Sequence, residues 1–394
     1  MEPKIDKVKL ANGATVLLIN YPGRNAVYFD LAIGVGSRQE KVGENGLAHL
    51  VEHLMSRQAL RLMPESVWGG HYLAREFDGS TLDRRTNYEL TAQKQDVALA
   101  MRILGSCLRA EKITARALAE EKQRIFSELS AVDDDPHLKH LQVVRDQVFA
   151  NPALARWPGG RVADLKKITL GQIKDFVRNN YRPENTVLTV AGDLKKKEVI
   201  ELAEKYCRFS AGASQMSVPT EPSEPGKKST VNVISPTTSL RYATFSWLRP
   251  ALSVEDNVLA ETVLRGYQDY LHTTLEPQCG LYDLGVDITA YADAAWVSVF
   301  AAVPEKQLTH FLKLMKVAPA KFVAVLKQKQ FSALIGQEDR DLALGADFPR
   351  TVANNAAWYH LTFGRVVSLK EQSQILAKTD AKMARELFIS IMGS

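Results

Sequence analysis

One stretch of nine residues combines side chains that could hold a metal ion with one that could act as a base. It reads Gly46-Leu47-Ala48-His49-Leu50-Val51-Glu52-His53-Leu54. In a helix, His49 and His53 lie four residues apart on one face and can both ligate a tetrahedral zinc ion. Glu52 lies beside them and is suited to accept a proton from water without ligating the metal. The spacing therefore predicts two zinc ligands and a general base on one helix.

A short string of this kind can also arise by chance in a chain with eight His, and a pair of His on a helix is more often structural than metal-binding. Its surroundings favour the metal. A loop containing Gly leads into it, Leu50 and Val51 between the two His are apolar, and acidic residues follow downstream. We therefore expect a metal site at this helix.

The third ligand must come from elsewhere, because a catalytic zinc takes three protein ligands and keeps an open position for water. The densest acidic helix downstream spans residues 118–129 and contains Glu121 and Glu128. These two are seven residues apart, two helical turns, and so share one face. Glu128 could ligate zinc while Glu121 orients a His or the water. The residues alone favour the other interpretation, in which both are solvated helix carboxylates.

The elements around these residues mix strands with helices, and their order in the first half recurs in the second. The first half predicts a hairpin over 5–20 around Asn12-Gly13 and strands at 26–33 and 186–191. It also predicts the metal helix to about 61 and helices at 97–104, 114–132, 137–149, 170–180 and 195–206. We also expect strand-like pieces around a turn at Asp78-Gly79-Ser80. The second half predicts strands at 231–234, 242–248 and 294–303, and helices at 254–275 and from 307. The repeated order suggests an internal duplication.

Length and composition bound the class of protein. A chain of 394 residues is long enough for two domains, which we place at 1–210 and 231–394. Between them, residues 211–230 are rich in Ser, Pro, Gly and Glu, as a linker would be. The net charge is only +5, without a basic block, so nucleic acid is not an expected partner.

Cysteine usage and hydropathy predict a cytoplasmic location. Cys107, Cys207 and Cys279 are odd in number and widely spaced, which favours a reducing compartment. The first residues lack a basic head followed by an apolar core, and no run of about 18 apolar residues occurs. We therefore expect neither a secretory leader nor a membrane span.

Two sequence runs resemble the signature of the pitrilysin and mitochondrial processing peptidase family of inverted zincins. They are Gly36-Ser37-Arg38-Gln39-Glu40 and Asn45-Gly46-Leu47-Ala48-His49-Leu50-Val51-Glu52-His53-Leu54-Met55. The likeness continues through Gly69-Gly70, 121–128, 133–136, 181–185 and Gly192-Asp193. It implies that His49, His53 and Glu128 bind zinc, that Glu52 is the catalytic base, and that Glu121 supports the site.

The same resemblance implies a fold and a reaction. Short members of the family have two homologous α+β domains, each a mostly antiparallel sheet packed with helices. Together the two domains form half of a clam-shell, and two such chains enclose a chamber. Only the first domain carries zinc, and the second half here indeed has no His-x-x-Glu-His string. The implied function is a zinc metalloendopeptidase that hydrolyses unfolded peptides or precursor and leader peptides. We expect such a peptide to lie as an added strand near residues 71–76.

Two positions depart from the family pattern where the peptide should be held. After Gly69-Gly70 the family carries an Asn-Ala dipeptide, and here Leu73-Ala74 stands in its place. In the second half the family often has an Arg seven residues before a Tyr, whereas here Leu275 precedes Tyr282. Leu73, Ala74 and Tyr282 are thus the candidate substrate-binding residues. The missing Arg favours a heterodimer with a zinc-less relative that carries the Arg and Tyr pair, with a homodimer as the alternative.

A second class of function competes with catalysis. Some relatives of the family act as assembly or substrate-binding subunits without activity. Their zinc string is usually broken, whereas here it is whole. No feature of the sequence supports a zinc hydrolase that acts on substrates other than peptides.

Overall fold

The computed structural model describes residues 3–63, 71–149, 151–210, 228–234 and 239–393. The chain forms two compact units, each assembled from three segments. The first unit contains Met1–Val132, Arg156–Pro219 and Gly345–Ser368. The second contains Asp133–Ala155, Thr220–Leu344 and Leu369–Ser394.

The first unit is built on a six-stranded sheet. Its strands are β1 (Ile5–Lys9), β2 (Thr15–Asn20), β3 (Ala26–Ile33), β4 (Phe77–Thr81), β5 (Thr86–Gln93) and β6 (Thr186–Gly192). They lie in the order β1-β2-β6-β3-β5-β4. Every pair is antiparallel except β2 with β6. Among the described strands, β4 lies at one edge of the sheet and pairs only with β5.

The helices of this unit flank the sheet. In chain order they are α1 (Leu47–Leu60), α2 (Tyr72–Glu76), α3 (Val97–Ser106), α4 (Ala115–Asp134), of which residues 115–132 belong to this unit, α7 (Val162–Leu165), α8 (Leu170–Asn180), α9 (Lys196–Tyr206) and α13 (Pro349–Phe363). Side chains of β3 alternate between two apolar layers, as the period of a strand requires. Phe29, Leu31 and Ile33 share a core with α1 and α3, and Ala32 faces Ala356 of α13.

The second unit has a smaller antiparallel sheet. Its strands are β7 (Lys228–Ile234), β8 (Leu240–Pro250), β9 (Asp283–Ala290) and β10 (Ala294–Pro304), in the order β7-β8-β10-β9. Its helices are α5 (Pro136–Val148), α6 (Pro152–Ala155), α10 (Val254–Cys279), α11 (Leu308–Val325), α12 (Gln328–Gly345), α14 (Leu369–Leu376) and α15 (Ala381–Met392). The long α10 begins where the Ser253 side chain accepts from the Asp256 amide and ends at Gly280, whose φ is 58°. Such a left-handed residue commonly ends a helix.

The predicted α+β class with mostly antiparallel sheets is confirmed by these two sheets. Three local expectations were wrong or incomplete. Asp78-Gly79-Ser80 belongs to β4 rather than to a turn, β9 was not predicted, and residues 72–76 form the helix α2 where a strand-like piece was expected. Most of the predicted linker lies outside the described residues, and its last three residues begin β7. The domain boundaries drawn from the sequence stay a prediction.

Candidate active site

The helix α1 is fixed at its start by a tight turn. Gly46 has a φ of 101°, which residues with a side chain rarely adopt. The side chains of Leu47, Leu50 and Leu54 are buried in the core, because residues three or four apart lie on the same face of a helix. His49 and His53 remain on the half-buried side of the helix.

Glu40 holds the first turn of α1 from the loop before it. Its Oε1 accepts hydrogen bonds from the amides of Gly46 at 3.1 Å and Ala48 at 2.9 Å. Its Oε2 accepts from Asn45 Nδ2 at 3.1 Å. A carboxylate is favourable there because the free amides of a helix start carry partial positive charge. Glu40 thereby fixes the direction in which α1 presents its two His.

The two imidazoles of α1 meet one carboxylate of α4. His49 Nε2 and His53 Nε2 are 3.1 Å apart. Glu128 Oε2 lies 3.5 Å from His53 Nε2 and 3.9 Å from His49 Nε2. Among the described residues, these three form the one group of His, Cys, Asp or Glu whose ligand atoms converge, all within 4.8 Å. The structure thus brings together the three residues predicted as zinc ligands.

The other nitrogen of each ring is occupied by an acceptor. His49 Nδ1 lies 3.2 Å from the carbonyl oxygen of Gly159, and His53 Nδ1 lies 3.4 Å from Glu121 Oε2. Protonated Nδ1 atoms suit both contacts, which leaves a lone pair on each Nε2. Burial, together with the His53 charge, lowers the pKa of His49 to about 4, so its ring is neutral near pH 7.

This donor set fits a zinc ion. Two lone pairs that face each other at 3.1 Å repel unless a cation lies between them. Ligands placed about 2.1 Å from a tetrahedral ion are about 3.4 Å apart, close to the separations among the three atoms. His49, His53 and Glu128 would therefore hold the metal, and the Gly159 and Glu121 contacts would orient the rings.

Glu52 lies beside the three ligand atoms without belonging to their group. Its Oε2 is 4.0 Å from His49 Nε2, and its Oε1 accepts a hydrogen bond from Ser56 Oγ at 3.1 Å. Burial raises the pKa of Glu52 to about 7, against the opposing effect of His53 and Ser56. A buried carboxylate with one free oxygen next to a metal site is placed to exchange protons with water.

The edge strand β4 passes directly over Glu52. A Cβ added to Gly79 would lie 2.3 Å from Glu52 Oε1 and 2.9 Å from Ser56 Oγ. Only a residue without a side chain allows this approach of backbone to carboxylate. The edge strand β4 therefore borders the site.

Glu121 is held by a cation from α1. Arg57 donates to Glu121 Oε1 at 2.8 Å and also contacts Glu120 Oε2. The Glu121 carboxylate is almost wholly buried, and its second oxygen faces His53. A buried charge needs such partners. The predicted supporting role of Glu121 thus has a geometric basis.

The predicted substrate-binding residues lie in different settings. Leu73 is fully buried in α2, so its side chain cannot reach a peptide, and Ala74 is half-buried in the same helix. The expectation that a peptide adds to a sheet edge near residues 71–76 is therefore wrong, because residues 72–76 are helical and the edge strand is β4. In the second unit Tyr282 is 81% exposed and Leu275 is 4% exposed. Gly69-Gly70 lies outside the described residues.

Sequence reasoning assigned no role to Glu40, Arg57 or Gly79. The acidic residue shortly before a helix start was a signal for Glu40. The position of Arg57, four residues after His53 on the same helix face, was a weak signal. Gly79 gave none, because the closeness of β4 to α1 is a tertiary contact.

Comparison with known proteins shows that most residues of the candidate site lie in a region that matches a protein family model. The family model described as insulinase (peptidase family M16) matches residues 15–156, which include every residue of the site except Gly159. The model described as the peptidase M16 inactive domain matches residues 167–333. The two matched regions together span most of the chain.

Individual relatives have low sequence identity to this chain, but the matches cover at least half of it. An uncharacterized zinc protease of Rickettsia bellii is 22% identical over 97% of this chain and 93% of its own length. A probable mitochondrial-processing peptidase subunit beta of Schizosaccharomyces pombe is 29% identical over 55% of this chain, and the match spans 48% of that relative. The crystal structure of a protease from Helicobacter pylori has a TM-score of 0.84 at 18% identity, covering 99% of this chain and 97% of that one.

Proposed function

The chain belongs to peptidase family M16, and from that premise we propose that it is a zinc metalloendopeptidase that hydrolyses unfolded peptides. Precursor or leader peptides are the proposed class of substrate. The observation that carries the proposal is the convergence of His49, His53 and Glu128 with the carboxylate of Glu52 beside them. A subunit that had lost catalysis would have no need to keep a base next to a complete ligand set.

Zinc, when bound, supplies a Lewis acid that acidifies water and stabilises negative charge on a carbonyl oxygen. Glu52 accepts the proton of the attacking water at Oε2 and later delivers it to the leaving amine. Ser56 holds the other oxygen of Glu52, which fixes the rotamer of the base. Glu121 and Arg57 keep the ring of His53 in place.

The proposed peptide lies along the free edge of β4. Extended peptides bind such edges through main-chain hydrogen bonds, which make little demand on sequence. Gly79 of β4 touches Glu52, so a peptide bond paired beside Gly79 would lie near the base. A folded protein cannot supply an extended segment without unfolding locally, which is why unfolded peptides are proposed.

We further propose that the chain works as the zinc-bearing subunit of a heterodimer in the cytoplasm, enclosing a chamber with a zinc-less relative. Support comes from Leu275, which is buried in α10 and offers no hydrogen-bond donor where the family resemblance implies an Arg. No helix among the described residues is long and apolar enough to cross a membrane.

Zinc content and peptide hydrolysis test the proposal together. The purified chain should contain one zinc per chain, removable by a chelator. Glu52→Gln should keep this zinc while cleavage of an unfolded peptide falls at least about 100-fold, since the base is lost. The assay is run with the chain alone and with a co-expressed zinc-less relative. Undiminished cleavage by Glu52→Gln would refute the role of the base.

A non-catalytic assembly or substrate-binding subunit is the alternative function. Leu73 and Leu275, both buried where the family resemblance implies an Asn and an Arg that hold the peptide, are the observations in its favour. Absence of stoichiometric zinc from the purified chain would decide for this alternative.

A further inference from the structure

A cavity of about 610 Å³ opens in the first unit at the ends of α1, α3 and α9. Its lining shares no residue with the metal site. Six cationic side chains and one carboxylate contribute to it, Arg61, Arg102, Arg109, Lys112, Lys205, Arg208 and Glu111. The excess of five positive charges equals the formal net charge of the whole chain, +5. Positive charge is thus concentrated at this cavity.

Some of these cations already have partners. Arg102 donates to the carbonyl oxygen of Leu62 at 3.3 Å, and Arg109 pairs with Glu111 at 3.2 Å. Lys205 lies over the ring of Tyr206 at 5.1 Å. Cations near the last carbonyls of a helix are favourable in themselves, so these three contacts do not require a ligand.

The remaining cations are not explained in this way. Among the described residues, Arg61, Lys112 and Arg208 form no ion pair, and all three are exposed. The Nε of Arg109 is buried without a hydrogen-bond partner in the described part of the chain. Like charges gathered around one concave surface repel each other. A bound anion would remove this repulsion and satisfy the free donors.

The cavity wall is a built surface. Gln58 Nε2 donates to the carbonyl oxygens of Ser106 at 2.7 Å and Arg109 at 2.9 Å, and Gln58 Oε1 accepts from the amide of Lys112 at 3.0 Å. One side chain of α1 thereby fixes the loop that carries two of the cations. Preorganised donors of this kind lower the cost of binding a ligand.

We propose that this cavity binds a small organic phosphate with two or more phosphoryl groups. An excess of five charges calls for a multiply charged ligand, and Arg forks match phosphate oxygens. The volume lies within the range of small-molecule sites, and Leu62 and Tyr206 in the lining offer apolar surface to the organic part. An extended acidic peptide would need a groove that continues beyond a cavity of this size.

Calorimetric titration of the full chain tests the proposal with ATP, inorganic tripolyphosphate and adenosine as probes, without divalent cations. ATP and tripolyphosphate should bind one per chain, more weakly as salt rises, and adenosine should not bind detectably. Lys112→Gln and Arg208→Gln should each weaken ATP binding about three- to fivefold, and the double variant about tenfold or more. Arg61→Gln provides a third variant, and Lys174→Gln, an exposed lysine elsewhere in the unit, should leave binding unchanged.

Three results would overturn the proposal. The first is no saturable binding of either phosphate probe. The second is equal binding by the wild type and the double variant, which would place the anion elsewhere, including at the metal centre. The third is tighter binding of an oligoglutamate peptide than of tripolyphosphate, which would identify an acidic protein segment as the ligand. Circular dichroism of each variant verifies that its fold is retained.

Discussion

Glu121 links two residues of α1 through its two oxygens, accepting from Arg57 at 2.8 Å and facing His53 Nδ1 at 3.4 Å. The carboxylate is buried on α4, so its charge acts on His53 with little screening by solvent. This contact fixes which nitrogen of His53 is free for a metal. Glu128, on the same helix, is half-exposed and faces the free nitrogens. Two carboxylates seven residues apart thus have different surroundings.

Replacing these two carboxylates should separate their roles. We expect Glu128→Ala to weaken zinc binding more than about 100-fold, because a ligand is lost, and Glu121→Gln to weaken it about tenfold while also lowering the rate. Competition with a chromophoric chelator measures both affinities. Glu198→Ala, an exposed carboxylate on α9, serves as control. Unchanged zinc stoichiometry in Glu128→Ala would place the third ligand elsewhere.

Gly79→Ala should impair catalysis without removing the metal. The added Cβ would lie 2.3 Å from Glu52 Oε1, so either the base or β4 must shift, and a displaced base costs rate. We expect kcat/KM to fall at least about tenfold with zinc content unchanged. In Gly285→Ala, on β9, the nearest atom would lie at 3.8 Å, and activity should be retained. Full activity of Gly79→Ala would show that β4 does not constrain Glu52.

Leu275→Arg should destabilise the chain rather than restore a substrate contact. Leu275 is 4% exposed within α10, and burying an unpaired guanidinium costs several kcal/mol. We expect the free energy of unfolding, measured with urea, to fall by about 3 kcal/mol or more, without an increase in the rate of hydrolysis. Gln278→Arg, at an exposed position of the same helix, should change stability by less than about 0.5 kcal/mol. Increased hydrolysis by Leu275→Arg would contradict this prediction.

His140 should make the second unit sensitive to mild acid. It is buried with Nε2 2.8 Å from Thr244 Oγ1, and burial, with the nearby His137, lowers its pKa to about 4. In the unfolded chain the pKa of His140 is about 6.5. As the pH falls, the unfolded chain therefore binds this proton at a higher pH than the folded chain does. The contribution of neutral His140 to the free energy of unfolding is therefore fully present above about pH 6.5, and it declines as the pH falls toward 4.

Urea unfolding at pH 7 and pH 5 measures this effect. Between pH 7 and pH 5, the free energy of unfolding of the wild type should fall by about 1 to 2 kcal/mol more than that of His140→Gln. His310→Gln, at an exposed position, should behave as the wild type. An equal pH dependence in the wild type and His140→Gln would show that His140 does not titrate as proposed.

The sequence by itself determined the features that depend on neighbours along the chain. Helical spacing placed His49, Glu52 and His53 on one face of α1, and apolar periodicity with Asn12-Gly13 fixed most helices and the first hairpin. Here local geometry and burial of one face act together, so the pattern was sufficient. The α+β class was implied by the family resemblance, and the predicted order of elements agreed with it.

Only the tertiary structure decided which distant residues meet. It brought Glu128 to the two His, although the residues alone had favoured a solvated carboxylate at this position. It laid β4 over Glu52 at Gly79 and put Leu73 into the core, where the family resemblance had implied a substrate contact. Segments far apart in sequence meet through packing of whole faces, and no local pattern encodes the register in which two such faces come together.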